Sequence, residues 1–142
     1  MFSIVSKPLE GVNWAESLAS NQAGAFCSFE GRVRDNQDGR RVKQLEYQAH
    51  EPLCQTEAEK ILDEAKSKFN IIDSACLHRV GLLNVGEVSV VVGVIAPHRD
   101  EAFKACQYII DELKKRLPIW KKEFFTDGDS GWVNCQKLQS SI

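Results

Sequence analysis

A chain of 142 residues is long enough to bury one substantial hydrophobic core. With 43% hydrophobic and 27% charged residues it has a globular balance, and a net charge of −2 provides no bulk drive toward nucleic acid or a membrane surface. The longest strongly apolar stretch, Val88 to Pro97, is far too short to cross a bilayer as a helix, and no secretory leader is read, so a cytoplasmic protein is expected.

From the N-terminus, Asn13 followed by Glu16 resembles a capping box, which predicts a short helix from Trp14 to Ser20. Gly24 to Val33 alternates as a strand does, Asp35 to Arg41 has loop composition, and Val42 to Ala49 reads as a second strand. Pro52 to Phe69 carries Ala58, Ile61, Leu62, Ala65 and Phe69 on one helical stripe. Ser74 to Val80 is read as a strand and Gly81 to Gly86 as a connection. Val88 to Ala96, apolar on both faces and rich in β-branched residues, is expected at the centre of a sheet. Asp100 to Leu117 is the clearest helix: acidic residues open it, Lys114, Lys115 and Arg116 close it, and Pro118 stops it. Ile119 to Phe125 follows as a strand, with Trp132 to Cys135 as a short last one. Hairpin-like strand pairs mixed with helices predict an α+β fold with a mainly antiparallel sheet, two long helices and one short N-terminal helix. Residues 1–142 are read as a single domain.

Cys27, Cys54, Cys76, Cys106 and Cys135 are widely spaced, with no CxxC pair. The pattern favours free thiols in a reducing compartment over a zinc site or a disulfide framework. No metal or cofactor site is expected.

Helical geometry singles out Lys114. Measured from Phe103 at about 100° per residue, Ile110, Leu117 and Cys106 fall at about −20°, −40° and −60°, a stripe expected to be buried, and Lys114 falls inside the same stripe at about +20°. Two readings stay open. The stem packs while the ammonium snorkels to water, or the amine points into a cleft that lowers its pKa and suits it to acid–base or covalent work. Beyond the proline, alternation puts Ile119, Lys121 and Glu123 on one face and Trp120, Lys122 and Phe124 on the other. The basic side chains from Lys114 to Lys122 form either an anion pocket or a solvated rim. His98 and Arg99 precede a helix N-terminus, where backbone N–H groups favour anions. Arg34 stands beside a loop. His50 and His78 show no partner by spacing and are read as structural.

Taken in order, these residues carry a resemblance. Phe29-Glu30-Gly31-Arg32-Val33-Arg34, His78-Arg79-Val80-Gly81, Val92-Gly93-Val94 before His98-Arg99, Ala102-Phe103, Leu113-Lys114, Pro118-Ile119-Trp120-Lys121-Lys122-Glu123, and Gly128-Asp129 before Trp132-Val133 together resemble the large, catalytic subunit family of molybdopterin synthase. The resemblance runs from about Gly24 to Val133. It implies an α/β-hammerhead type of α+β fold and a homodimer, forming a heterotetramer with a small ubiquitin-like sulfur carrier. The carrier's C-terminal Gly-Gly tail bears a thiocarboxylate. The implied substrate is cyclic pyranopterin monophosphate, which receives two sulfurs to become the molybdopterin dithiolene. By the same resemblance Lys114 and Lys121 are the catalytic lysines, Arg34, His98 and Arg99 bind anions, and Phe29 is a pocket wall. Three positions depart from the pattern. Ile110 stands for a methionine and His50 for an aromatic residue. Gln136 and Lys137 stand where the family often has an arginine.

Two rival readings are a non-catalytic module that docks a ubiquitin-like carrier and a small RNA-binding domain. The paired lysines argue against the first. The net charge and the lack of a basic–aromatic ribbon argue against the second.

Overall fold

The computed structural model describes residues 1–135. Gln136 and Lys137 lie outside the described residues. Strand β1 (Phe2–Val5), helix α1 (Trp14–Ser17), strands β2 (Ala25–Arg32), β3 (Asn36–Gln37) and β4 (Arg40–Ala49) and helix α2 (Glu51–Lys68) make up the first half. Strands β5 (Asp73–Arg79), β6 (Gly81–Asn84) and β7 (Val88–Ala96), helix α3 (Arg99–Arg116) and strands β8 (Ile119–Phe125) and β9 (Ser130–Asn134) follow. The result is mixed α+β with two long helices and mostly antiparallel sheets.

Strand β7 is buried along its whole length, as its two-faced apolarity predicts. It pairs antiparallel with β5 on one side and β2 on the other, in the order β1-β5-β7-β2. One face of this sheet carries α3, with α2 packed against α3. The other face is covered by Leu9, Trp14 and Leu18. Gly93 makes that cover possible: a Cβ there would lie 2.8 Å from the Trp14 ring and 2.9 Å from Leu18. Each Val or Ile buried in this sandwich contributes about 1.5–3 kcal/mol.

The second sheet runs β3-β4-β8-β9, with β6 on β4. Its inner face supplies Leu45, Tyr47, Leu83 and Ile119 to the main core. Several expectations change here. Phe2–Val5 forms a strand parallel to β5, which its four residues were too few to announce. Gly81 to Gly86 is more than a connection, because Gly81–Asn84 pairs with Gln44–Tyr47. The loop at 35–41 contains a two-residue strand closed by Asp38 and Gly39 at positive φ. The first helix is a single turn.

Helix α2 begins at His50, whose Nδ1 accepts the Leu53 N–H at 3.3 Å, an N-cap role. Its partner helix is held by Arg116, which donates to Glu64 at 2.7 Å and to Glu57 at 2.9 Å. Pro118 turns the chain from α3 into β8. Its carbonyl accepts the His50 N–H at 3.1 Å and the Cys54 thiol at 3.5 Å, so the start of α2 clasps that corner.

Candidate active site

The corner at Pro118 lies between Lys114, in the last turn of α3, and Lys121, the third residue of β8. Phe103, used as the origin of a buried stripe, is 62% exposed. The buried face of α3 is Ala102, Ala105, Cys106, Ile109 and Leu113. Phe103, Ile110 and Lys114 line its edge, where helix meets groove. Phe103 was a poor origin because its own side chain belongs to that edge.

The alternation read for β8 is correct, and it is the charged face that is buried. Lys121 is 4% exposed and Glu123 5%. Directly opposite residues of antiparallel strands share a face, so Tyr47 adjoins Lys121 and Leu45 adjoins Glu123. These groups floor a cleft of about 320 Å³ whose walls include Phe29 and Arg34. The register shift opposite Gly31 and Arg32 leaves Ser89 of β7 as the extra residue, a β-bulge that bends β7 beside this wall. Arg34 donates to Gln37 at 3.0 Å. Burial pushes the Tyr47 phenol far above its ordinary range.

Lys114 faces a smaller cavity of about 10 Å³, room for roughly one water. His78, Ile110 and Cys135 share its lining. Burial is the main cause that brings the Lys114 amine down to about 8; Cys135 opposes it, and the charge of Lys121 adds to it. The same burial, with Lys114 nearby, pushes His78 down to about 3, so its ring is neutral at ordinary pH. Burial raises the Cys135 thiol against the pull of both lysines. Among the described residues, neither Lys114 nor Lys121 forms an ion pair with a carboxylate. Two amines with no carboxylate ion pair among the described residues are the arrangement that favours an incoming anion.

His98 and Arg99 stand apart from this pair. They border an open depression at the start of α3, with Gly24 and Phe103. His98 occupies the N-cap position with no side-chain cap bond. A fourth hollow between β2 and α3 touches these three: it shares Phe103 with the depression, Phe29 with the cleft and Ile110 with the small cavity. Within one chain, Phe29, Arg34 and Lys121 are thus brought to one cleft and Lys114 to its neighbour. His98 and Arg99 are joined to them only by the groove along α3. Reading the sequence alone missed Tyr47, His78, Glu123 and Cys135. The alternation of β8 already pointed to Glu123 beside Lys121. Nothing local marks His78 or Tyr47, whose relation to the lysines is made by strand pairing.

Comparison with known proteins bears on the fold and the family. The family model described as MoaE protein matches residues 4–116. A molybdopterin synthase catalytic subunit from Thermoplasma volcanium is 41% identical over 129 residues, covering 91% of this chain and 94% of the relative. The crystal structure of molybdopterin synthase from Staphylococcus aureus superposes with a TM-score of 0.86 at 33% identity, over 92% of this chain and 95% of that one. A complex of subunits 1 and 2 of molybdopterin-converting factor from Helicobacter pylori shares the fold, with a TM-score of 0.75 at 23% identity over 96% and 91% of the two chains. The chain belongs to the molybdopterin synthase catalytic-subunit family.

Proposed function

We propose that the chain transfers two sulfurs from the C-terminal thiocarboxylate of a small ubiquitin-like carrier to cyclic pyranopterin monophosphate, giving the molybdopterin dithiolene. The observation that carries this reading is the pair of lysines on either side of the Pro118 corner, Lys121 buried and Lys114 half-buried, neither ion-paired to a carboxylate among the described residues. Substrate phosphate and carrier tail are both anionic, and a site of unneutralised cations is matched to them.

In this reading Lys121, at the floor of the cleft, stabilises the negative charge that develops as the cyclic phosphate opens. Lys114, with an amine near 8, is poised to give or take a proton or to engage the carrier's acyl carbon. In each round a C–S bond forms on the pterin side chain as the carrier's acyl–sulfur bond breaks, and the oxygen displaced from the pterin carbon leaves on the opened phosphate ester in one round and as water in the other. Water supplies the oxygen that leaves the carrier as a carboxylate. Arg34 holds an anion at the cleft wall, and Phe29 bounds the cleft. His98 and Arg99, displaced along the groove, bind anionic groups there or serve the site of a second protomer.

We further propose an α/β-hammerhead arrangement for the fold, one domain over residues 1–142, and a homodimer that becomes a heterotetramer with two carriers. The complex known for the Helicobacter pylori neighbour supports a two-subunit assembly. No described helix is long and apolar enough to cross a membrane, and a cytoplasmic location is proposed.

The test mixes purified protein, thiocarboxylated carrier and cyclic pyranopterin monophosphate and measures dithiolene product. Product above the carrier-only rate is expected. Its absence with a carrier shown to be competent refutes the enzymatic reading and leaves the docking module.

A further inference from the structure

We propose that His78 is the positioning residue for Lys114, presenting a fixed ring nitrogen to the lysine across the small cavity that both side chains line. The inference rests on the catalytic reading of Lys114 given above. It starts from the hydrogen bonding of the ring. Nδ1 lies 2.9 Å from the Arg79 carbonyl, and a carbonyl can only accept, so the proton of the neutral ring sits on Nδ1. Nε2 is then left with its lone pair as an acceptor. The Tyr47 ring meets the imidazole edge to face at 5.1 Å and 81°, which fixes the plane in which that lone pair points. Of the side chains lining the cavity, Lys114 and Cys135 carry the donors, and the lysine is the stronger one. A cavity of about 10 Å³ leaves room for one bridging water at most.

This arrangement gives Lys114 an uncharged partner. A carboxylate would lock the amine as ammonium, whereas a neutral acceptor orients it and leaves it able to lose its proton. The charged and titratable groups around the amine are Cys76 and His78 from β5, Lys121 from β8 and Cys135 after β9.

Two substitutions separate positioning from mere packing. Asn places its amide near Nδ1, so His78→Asn keeps the tie to Arg79 and loses the Nε2 acceptor. Gln places its amide near Nε2, so His78→Gln keeps an acceptor for Lys114 and loses the tie. The expected result is a kcat loss of about 10- to 100-fold for His78→Asn with KM little changed, and activity within about threefold of the parent for His78→Gln. A structural role predicts the reverse order. Trace acetylation of Lys114 at varied pH, read by mass spectrometry, gives a second measure that needs no turnover. Its midpoint should fall by about one pH unit in His78→Asn, because an acceptor for the ammonium has been removed, and stay near the parent in His78→Gln. Equal midpoints in all three proteins overturn the proposal even if the enzyme is active. A shifted midpoint with an inactive parent upholds the contact and refutes the catalytic reading instead.

Discussion

Replacing Lys114 by Met should make the protein more stable and nearly inactive. The stem of the lysine packs at the edge of α3 and methionine preserves most of that packing. The change removes a half-buried ammonium. Its amine falls from 10.5 to about 8, and at about 1.4 kcal/mol per pH unit this bounds the cost at about 3.5 kcal/mol. Because the side chain is only partly shielded from solvent, a gain of about 1–2 kcal/mol at pH 7 is expected. The pH dependence follows from linkage. Below about pH 8 the lysine is charged in folded and unfolded chains alike, and the folded state bears the full cost. Between about 8 and 10.5 the folded chain sheds its proton first, and the cost fades. Urea titrations of parent and variant at pH 7 and pH 10 should show the gain shrinking at the higher pH, while sulfur-transfer activity is lost at both. A variant that is less stable at pH 7, or whose gain is independent of pH, refutes the claim that the fold holds a costly charge at this position.

Lys114→Arg keeps the positive charge but cannot lose its proton, so a fall in kcat of about 10²- to 10⁴-fold is expected despite normal folding by circular dichroism. If Lys114 works as the free amine, kcat of the parent should rise through about pH 8 and level off, a profile that steady-state kinetics would record. Arg34→Ala should raise KM for the phosphate-bearing substrate about tenfold with a smaller change in kcat, measured at fixed carrier concentration. Gly93→Ala should destabilise the fold by about 1–3 kcal/mol in chemical denaturation, since the new methyl would meet the Trp14 ring at 2.8 Å.

Much of the fold was legible because its elements announce themselves by period. The two-faced apolar run at Val88–Ala96 and the charge-capped helix before Pro118 were placed to within a residue. The strand at Phe2–Val5 and the pairing of Gly81–Asn84 were not, because a four-residue strand has too short a pattern and acquires its identity from the neighbour it pairs with. The site divides along the same line. Lys121 and Glu123 followed from alternation. Lys114 was found from an origin, Phe103, that proved exposed; the lysine survived the error because groove and stripe share an edge. His78 was read as structural, and its cavity is assembled from β5, β7, α3, β8 and the segment after β9, which no single stretch of sequence contains.

The clasp on the Pro118 carbonyl has a mechanical corollary. Six residues separate Lys114 from Lys121, and the His50 amide and Cys54 thiol grip the bend between them. The span between the two amines is thus written mainly into one short covalent arc, as the opening of a caliper is set by its hinge. Strands and helices elsewhere can shift without changing that gap, whereas loosening the grip at Cys54 would alter the gauge itself. Residues remote from any substrate would then govern how large an anion the pair can bracket.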